Sequence, residues 1–331
     1  MEYPSLDKPI AGAFRFNTDS SQLEIYDGNQ WTGVVSDSPE LHTGGTRGLY
    51  AGGSGTPTWL TTIDYVNIDT TGNAADFGNI SSESYEGSGL ANRTRGLFAL
   101  GYSIPDTDTI DMVTIASTGS TEDFGNLHTG AGRVTDALAS ETRGIFAGQE
   151  APSKVNDIRY VTIASKGDTV DFGDMNAAKG FGACCASPTR GILAGGRTPS
   201  ILNIIDFITI ASTGNASDFG DLFTGRYNLG SGSNSIRGIF AGGQTPVLNI
   251  IDYVTISTLG NAADFGDLTV ARSTRGMASS TRAAFAAGAS PSQVNTIDYV
   301  QIMTTGNATD FGDTLAVSVH GMSCSNGHGG L

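Results

Sequence analysis

Short runs in which hydrophobic and polar residues alternate follow one another along the chain, separated by Gly, Pro, Asn and Ser. The run LNIIDYVTI, residues 248–256, is a clear case. Alternation with a period of two is typical of half-buried β-strands, and the separating residues are typical of turns. No stretch keeps the apolar period of about 3.6 residues that a helix needs. The pattern therefore predicts an all-β fold.

The runs belong to a repeat of about 47 residues. The first landmark, of the type TRGLYAGG, begins at Thr46, Thr94, Thr142, Thr189, Ile236 and Thr281. The second, of the type IDYV, begins at Ile63, Ile110, Ile158, Ile205, Ile251 and Ile297. The third, DFG, has its aromatic residue at Phe77, Phe124, Phe172, Phe219, Phe265 and Phe311. Between the first two landmarks each copy carries one proline: Pro57, Pro105, Pro152, Pro199, Pro246 and Pro291. This order indicates a repeat architecture.

Each repeat contains four short β-like runs, which is typical of a β-propeller blade. Only SPELHTGG precedes the first copy, which leaves no room for a first strand. The last copy instead runs 19 residues beyond its DFG. We therefore predict six blades, with blade one completed by a C-terminal strand near residues 321–326. Such a closure would leave no exposed sheet edge.

Four features in a fixed order resemble the kelch repeat. A Gly pair closes the second strand, an aromatic residue lies in the third, an aromatic residue precedes the end of the fourth, and a basic residue follows. These basic residues are Arg133, Lys179, Arg226 and Arg272. The resemblance covers about 290 residues and departs from kelch where Phe replaces the usual Trp of the fourth strand. It implies a kelch-like six-bladed β-propeller and does not carry over any kelch partner.

The N-terminal residues 1–40 differ from the repeat and are predicted to form a separate segment, with the propeller at 41–331. GAFRFNTDSSQLEIYDGNQWTGV predicts a β-hairpin with Phe14, Phe16 and Trp31 on its apolar face. Because a lone hairpin is not stable in water, we expect it to attach to another chain or to the propeller. The segment resembles a short element of tail-fibre and other structural proteins of tailed bacteriophages, as in cyanophages. This resemblance implies a virion protein.

Composition narrows the classes of function. The net charge of −15 and the presence of only four lysines argue against a nucleic-acid partner. No apolar run approaches the ~18 residues of a membrane span, so no membrane insertion is expected. The N-terminus lacks the features of a signal peptide, which fits a virion protein made in the host cytoplasm. Cys184, Cys185 and Cys324 make no disulfide framework.

No catalytic constellation stands out, and we expect neither enzymatic activity, nor a cofactor, nor a metal. The four histidines, His42, His128, His320 and His328, show no metal-ligand spacing. The repeated Asp residues are interpreted as structural, because a residue present in every blade serves every blade. We expect Asp64, Asp111, Asp206, Asp252 and Asp298 to pair with the repeated Arg47, Arg95, Arg143, Arg190, Arg237 and Arg282.

Loop variation points to one face of the propeller. The turns between third and fourth strands are nearly uniform, whereas the Pro-containing loops and the inter-blade loops vary. In an antiparallel blade these two variable sets emerge on the same face, and variable loops on a rigid scaffold usually carry recognition. The candidate binding residues on this face are Trp59, Tyr85, Tyr102, His128, Arg197, Phe223 and Tyr227.

The hypothesis from sequence is a phage virion structural protein, either a tail fibre or another tail or baseplate appendage. Its propeller face would recognise a host-surface glycan, and its N-terminal segment would bind other virion proteins. The sequence is also compatible with a homo-oligomer. An alternative is a virion assembly, adaptor or head-decoration module that contacts only other virion proteins. A propeller-fold carbohydrate-active enzyme is disfavoured, because neither a Tyr/His copper set nor an arginine triad distinct from the repeated arginines is evident.

Overall fold

The computed structural model of the chain describes residues 9–17, 22–33, 45–55, 58–103, 107–127, 133–150 and 153–331. The candidate binding residue His128 lies outside these ranges. The chain divides into two compact units, Met1–Thr43 and Gly44–Leu331. Within the described ranges all regular secondary structure is β, as the alternation of hydrophobic and polar residues predicts.

The first unit is a three-stranded antiparallel sheet in the order β1-β2-β3. Its strands are β1 (Phe14–Asn17), β2 (Gln22–Tyr26) and β3 (Trp31–Gly33). The hairpin predicted around NTDSS is formed by β1 and β2, in which Phe14 lies opposite Ile25. The turn before Trp31 is held by the Asp27 carboxylate, which accepts hydrogen bonds from the amides of Asn29 and Gln30.

The second unit contains antiparallel sheets of four strands each. The first sheet consists of β27 (Met322–Ser325), β4 (Arg47–Ala51), β5 (Thr62–Asn67) and β6 (Ala75–Asn79). The second consists of β7 (Ser88–Ala91), β8 (Arg95–Ala99), β9 (Thr109–Thr114) and β10 (Glu122–Asn126). The third consists of β11 (Asp136–Ala139), β12 (Arg143–Gln149), β13 (Val155–Thr162) and β14 (Val170–Asp174).

The remaining sheets follow the same plan. The fourth consists of β15 (Ala183–Ala186), β16 (Arg190–Ala194), β17 (Ile204–Thr209) and β18 (Ser217–Asp221). The fifth consists of β19 (Gly230–Ser233), β20 (Arg237–Ala241), β21 (Ile250–Thr255) and β22 (Ala263–Asp267). The sixth consists of β23 (Arg275–Ala278), β24 (Arg282–Ser290), β25 (Ser292–Gln301) and β26 (Thr309–Ser318). This architecture is consistent with a β-propeller.

The C-terminal strand β27 belongs to the first sheet although it is last in the chain. It pairs antiparallel with β4, where Met322 lies opposite Ala51 and Ser325 opposite Gly48. Every other sheet pairs its first and second strands in the same register, as Ser88 opposite Ala99 illustrates. The strand predicted near residues 321–326 is therefore present, and it covers the edge of β4 that would otherwise be unpaired.

Neighbouring sheets are joined by hydrogen bonds at the DFG motif. The amide of Gly119 in the second sheet donates to the carbonyl of Phe77 in the first, and each later sheet repeats this bond with its predecessor. The amide of Gly72 in the first sheet donates in the same way to Phe311 of the sixth. A side chain on Gly78, whose φ is +150°, would collide with the backbone of Gly119. The glycine of DFG thus permits the close approach of the next sheet.

The repeated arginines do not pair with the repeated aspartates, so this expectation is wrong. Arg47 instead donates Nη1 to the carbonyl of Ile115 in the next sheet at 2.7 Å, and its guanidinium lies 4.6 Å from the centre of the Tyr65 ring. Five other arginines donate the equivalent hydrogen bond to a backbone carbonyl of the next sheet: Arg95, Arg143, Arg190, Arg237 and Arg282. A cation that satisfies a carbonyl and stacks on a ring binds neighbouring sheets together without a carboxylate.

The repeated aspartates bind the segment that leaves the preceding sheet. Asp111 accepts a hydrogen bond from the Ser81 amide at 2.7 Å, and Asp64 accepts one from the Leu315 amide at 2.8 Å. In two sheets the aspartate also binds the basic residue of the kelch-like pattern. Arg226 reaches Asp252 at 2.9 Å and Arg272 reaches Asp298 at 2.8 Å, and these side chains have no exposed surface.

The hydrophobic core lies between the sheets. One cluster joins Leu49 and Phe77 of the first sheet to Phe98 and Val113 of the second. A corresponding cluster joins the sixth sheet to the first through residues that include Tyr50, Ile68, Met277 and Phe311. Because each cluster draws side chains from two consecutive sheets, no sheet has a core of its own. The sheets are therefore expected to fold as a cooperative set.

Candidate functional site

The described parts of the variable loops lie at one end of the sheets. There the segment before each first strand runs beside the segment after the second strand. Tyr85 and Tyr102 form such a β-bridge, as do Gly180 and Arg197. Several predicted binding residues lie on or beside these bridges, which hold their backbones in place. We call this end of the sheets the rim.

Three of the predicted residues form one aromatic cluster on the rim. The ring centre of Trp59 lies 5.0 Å from that of Tyr85 and 5.0 Å from that of Tyr102. The two tyrosine rings are 5.2 Å apart. The guanidinium of Arg133 lies 4.0 Å from the centre of Tyr102 and binds the Glu86 carboxylate at 3.0 Å. The cluster is partly exposed, so its rings combine mutual packing with an accessible surface.

Two further predicted residues, Arg197 and Tyr227, form a second cluster. The Arg197 guanidinium lies 4.8 Å from the Tyr227 ring centre and 5.0 Å from that of Phe181. Glu150 binds Arg197 at 2.8 Å, so this cluster has the same aromatic, arginine and glutamate composition as the first. Phe181 was not predicted, because in the sequence it lies inside a Gly-rich segment that resembles a spacer.

Phe223 does not join either cluster. Its side chain is 74% exposed. Its backbone amide donates a hydrogen bond to the Asp252 carboxylate in β21 of the fifth sheet. The structure therefore separates this predicted residue from the two rim clusters.

A ring of equivalent residues connects the two clusters. Glu86, Phe181, Asn228 and His320 each lie two residues before the first strand of a sheet, and each has a positive φ between 54° and 60°. His320 stacks on Phe181 with 6.1 Å between ring centres. It also lies 3.1 Å from the Asn228 amide nitrogen and 3.6 Å from the Glu86 carboxylate. These contacts make the rim clusters parts of one surface.

Burial and neighbouring charges shift the pKa values of two of these four residues, His320 and Glu86. Burial, together with the positive charges of Arg275 and Arg197, lowers the pKa of His320 to about 3. The imidazole is thus neutral at physiological pH. Burial raises the pKa of Glu86, and Arg133 opposes that rise. The ring therefore combines a neutral imidazole with a carboxylate whose charge is compensated by an arginine.

Below this ring lies a cavity of about 100 Å³, lined by the first strands of all the four-stranded sheets. Much of its wall consists of small residues, of which Gly89, Ala137 and Ser231 are representative. At the far end His328 Nε2 donates a 2.7 Å hydrogen bond to the Ala91 carbonyl. A side chain on Gly330 would collide with the Ala139 backbone. The C-terminal residues thus pack closely against the strands at that end.

Among the described residues, no group of three or more His, Cys, Asp and Glu side chains is placed to hold a metal ion. In the same ranges no helix is long and apolar enough to cross a membrane. Cys184, Cys185 and Cys324 are free thiols.

The N-terminal unit exposes part of its predicted apolar face. Phe14 and Phe16 are 63% and 62% exposed on β1. Trp31 is instead covered within the unit, with Tyr26 at 5.4 Å and the Arg15 guanidinium at 4.4 Å from its ring. Of the three predicted attachment residues, the two phenylalanines are therefore the more accessible.

Comparison with known proteins adds no family to this description. No protein-family profile matches the chain, and no curated protein sequence is significantly similar to it.

Proposed function

We propose that the second unit is a closed, six-bladed, kelch-like β-propeller. The first strands support this proposal, because each contacts its two neighbours in a cycle: β7 with β11, β11 with β15, β15 with β19, β19 with β23, β23 with β27, and β27 with β7. The Arg282 bond to the Ile68 carbonyl supports it as well, since it joins the sixth sheet to the first just as other arginines join their neighbours. A closed ring of sheets would hold the rim loops in fixed positions, so that little conformational entropy is lost when they bind a partner.

The protein is proposed to be a non-catalytic structural component of a tailed-phage virion, a tail fibre or a related appendage. The support is the fibre-like N-terminal segment and the exposed Phe14 and Phe16 of β1, which would bury apolar surface on another virion protein. Deleting residues 1–43 should leave a soluble propeller that no longer enters particles. Normal incorporation of that deletion would rule out the attachment role.

The rim is proposed to recognise a host-surface glycan. One observation carries this proposal: Trp59, Tyr85 and Tyr102 form a partly exposed cluster of rings beside the ion pair of Arg133 with Glu86. Aromatic faces stack on the apolar face of a sugar ring, and adjacent charged groups bind its hydroxyls. The second cluster around Arg197 repeats this chemistry across the ring and would extend the contact to a further sugar.

The test is adsorption of the purified chain to host cells, in competition with their released surface polysaccharide. The triple variant Trp59→Ala, Tyr102→Ala, Tyr227→Ala should bind at least about tenfold more weakly, because aromatic anchors dominate such interfaces. The control is Leu259→Ala, Met303→Ala, since both residues are exposed and lie in turns at the opposite end of the sheets. Asn215 and Asn261 of the uniform turns are unsuitable controls, because each accepts a hydrogen bond from the preceding sheet.

A further inference from the structure

Residues 327–331, which we call the cap segment, lie across the end of the cavity that is farther from the rim. His328 lines the cavity there. Gly329 and Gly330 permit a close approach to the sheets, because a side chain on either would collide with backbone carbonyls. The cap segment in this way reaches the ends of the first strands of four sheets, at Ala91, Ala139, Ala186 and Asn234. It therefore closes this end of the cavity.

A single hydrogen bond ties the cap segment to the sheets. Among the described residues, the one hydrogen bond from residues 327–331 to a strand is donated by His328 Nε2 to the Ala91 carbonyl at 2.7 Å. Three of the five residues, Gly327, Gly329 and Gly330, bring no side chain to bury. The attachment of the cap segment thus depends on the state of one imidazole.

The two hydrogen bonds of the His328 imidazole define its protonation state. A carbonyl oxygen can only accept, so Nε2 carries a hydrogen when it bonds Ala91. Nδ1 accepts the amide hydrogen of Gly330 at 3.1 Å, so this nitrogen has a free electron pair. Protonation of Nδ1 would set two N–H groups against each other and break the bond to Gly330. The closed cap segment therefore requires a neutral His328.

The surroundings of His328 also oppose its protonation. Burial lowers the pKa of His328 below the ordinary value of 6.5; the hydrogen bond to Ala91 opposes this effect, and the positive charge of Arg93 adds to it. Glu141 is the acidic partner of Arg93, at 3.6 Å. The residues that the other sheets bring to the cap segment are uncharged: Ala139, Ala186 and Asn234. An imidazole released into water would titrate near 6.5, so acid favours release.

We propose that the cap segment is a pH-operated latch, which closes the cavity while His328 is neutral and swings away when the imidazole is protonated, so that the cavity opens to solvent at this end. The hinge follows Asn326, whose amide stays bonded to the Arg47 carbonyl. Opening takes up one proton, so its equilibrium constant rises as the pH falls below 6.5, by up to about tenfold per pH unit. The latch does not depend on glycan recognition at the rim.

Cys184 can report the opening, because it is a partly exposed free thiol that lines the cavity. The full chain is treated with methyl methanethiosulfonate, and the labelled cysteines are identified by mass spectrometry. The labelling rate of Cys184 is divided by its rate in urea-unfolded chain at the same pH, which removes the effect of pH on thiol reactivity. This ratio should rise at least about fivefold from pH 7.5 to pH 5.

The other two thiols are internal controls for global unfolding. Cys185 and Cys324 are buried in the core and should stay unlabelled at both pH values. Labelling of all three cysteines at one rate would overturn the proposal, since acid would then unfold the whole chain instead of moving the cap segment.

Three variants separate the latch from other routes into the cavity. In His328→Gln the side chain is neutral at every pH, so the ratio should not depend on pH. His320→Gln removes the histidine with a lowered pKa at the rim and should keep the rise. Deleting residues 327–331 leaves β27 in place and should give fast labelling at both pH values. A rise that persists in His328→Gln, or a deletion that labels as slowly as the unmodified protein at pH 7.5, would contradict the latch.

Discussion

The imidazole of His320 stacks on the ring of Phe181 at 6.1 Å, although the two residues precede the first strands of different sheets, β27 and β15. Asn228 and Glu86, which precede the first strands of two further sheets, also approach His320. Residues that occupy one position of the repeat thus converge on a single surface. The convergence brings four sheets together at one end, which makes this pair sensitive to the arrangement of the sheets as a whole.

Acid should destabilise the protein through His320. Its folded-state pKa of about 3 lies below the unfolded value of 6.5, so the stability contributed by the neutral imidazole is lost as the pH falls from 6.5 toward 3. Relative to His320→Gln, the unmodified protein should lose about 3 kcal/mol between pH 7 and pH 4. Urea unfolding at both pH values measures this difference. Parallel losses in the two proteins would show that His320 does not titrate in a buried setting.

Asp136 should have the opposite pH dependence. Burial raises its pKa to about 6 in the folded protein, above the unfolded value of 3.8, so ionisation costs stability as the pH rises through this window. Asp136→Asn should therefore stabilise the protein by about 2–3 kcal/mol at pH 7 and by less than about 1 kcal/mol at pH 4. Thermal and urea unfolding at the two pH values check the sign. Destabilisation at pH 7 would mean that the carboxylate is satisfied.

The buried ion pair of Arg226 and Asp252 should be costly to break. Both side chains have no exposed surface, and Arg226 also donates Nη2 to the Phe240 carbonyl at 3.1 Å. Arg226→Met leaves an unpaired buried carboxylate and should destabilise the protein by about 3–5 kcal/mol. Adding Asp252→Asn should recover part of the loss. The equivalent change Arg272→Met serves as a matched comparison, and a loss below about 1 kcal/mol in both variants would refute the interpretation.

Most of the second unit's fold could be predicted from its sequence, because the repeat marks every strand. The position of each run of alternating residues, the glycine of DFG and the C-terminal strand all follow from local patterns. The partners of the repeated arginines could not be predicted, because a guanidinium can bind a backbone carbonyl as well as a carboxylate. Every residue has a backbone carbonyl, so the sequence does not show which one is bound. Arg47 and Ile115 meet only because two sheets pack together.

The candidate site was only partly predictable. The variation among loops indicated Trp59, Tyr102 and Tyr227, but it missed Phe181, Glu86 and His320, which bring the clusters together. Aligning the repeats at the position two residues before each first strand would have singled out these three residues. The buried carboxylate of Asp136, which lies outside this site, was missed for another reason: its equivalents are Ser88, Ala183 and Gly230, so nothing in the repeat marks a carboxylate there.

Removing the C-terminal strand should expose an edge. Deleting residues 316–331 removes β27 and its pairing with β4, along with residues that line the cavity. The truncated protein should unfold at a much lower temperature and aggregate, because β4 would offer unpaired backbone groups. Light scattering during a thermal scan measures both effects. A monomeric truncation with an unchanged melting temperature would contradict the proposed closure of the propeller.

Adsorption of the rim variants to host cells is the most direct test of the proposed function. The variant Trp59→Ala, Tyr102→Ala, Tyr227→Ala should bind at least about tenfold more weakly at equal folded concentration, whereas Leu259→Ala, Met303→Ala should bind like the unmodified protein. Released host polysaccharide should compete with the unmodified protein for binding. Retained adsorption by the rim variant, together with loss in the control, would place recognition at the opposite end of the sheets. Equal adsorption by all three proteins would contradict a binding role for the rim.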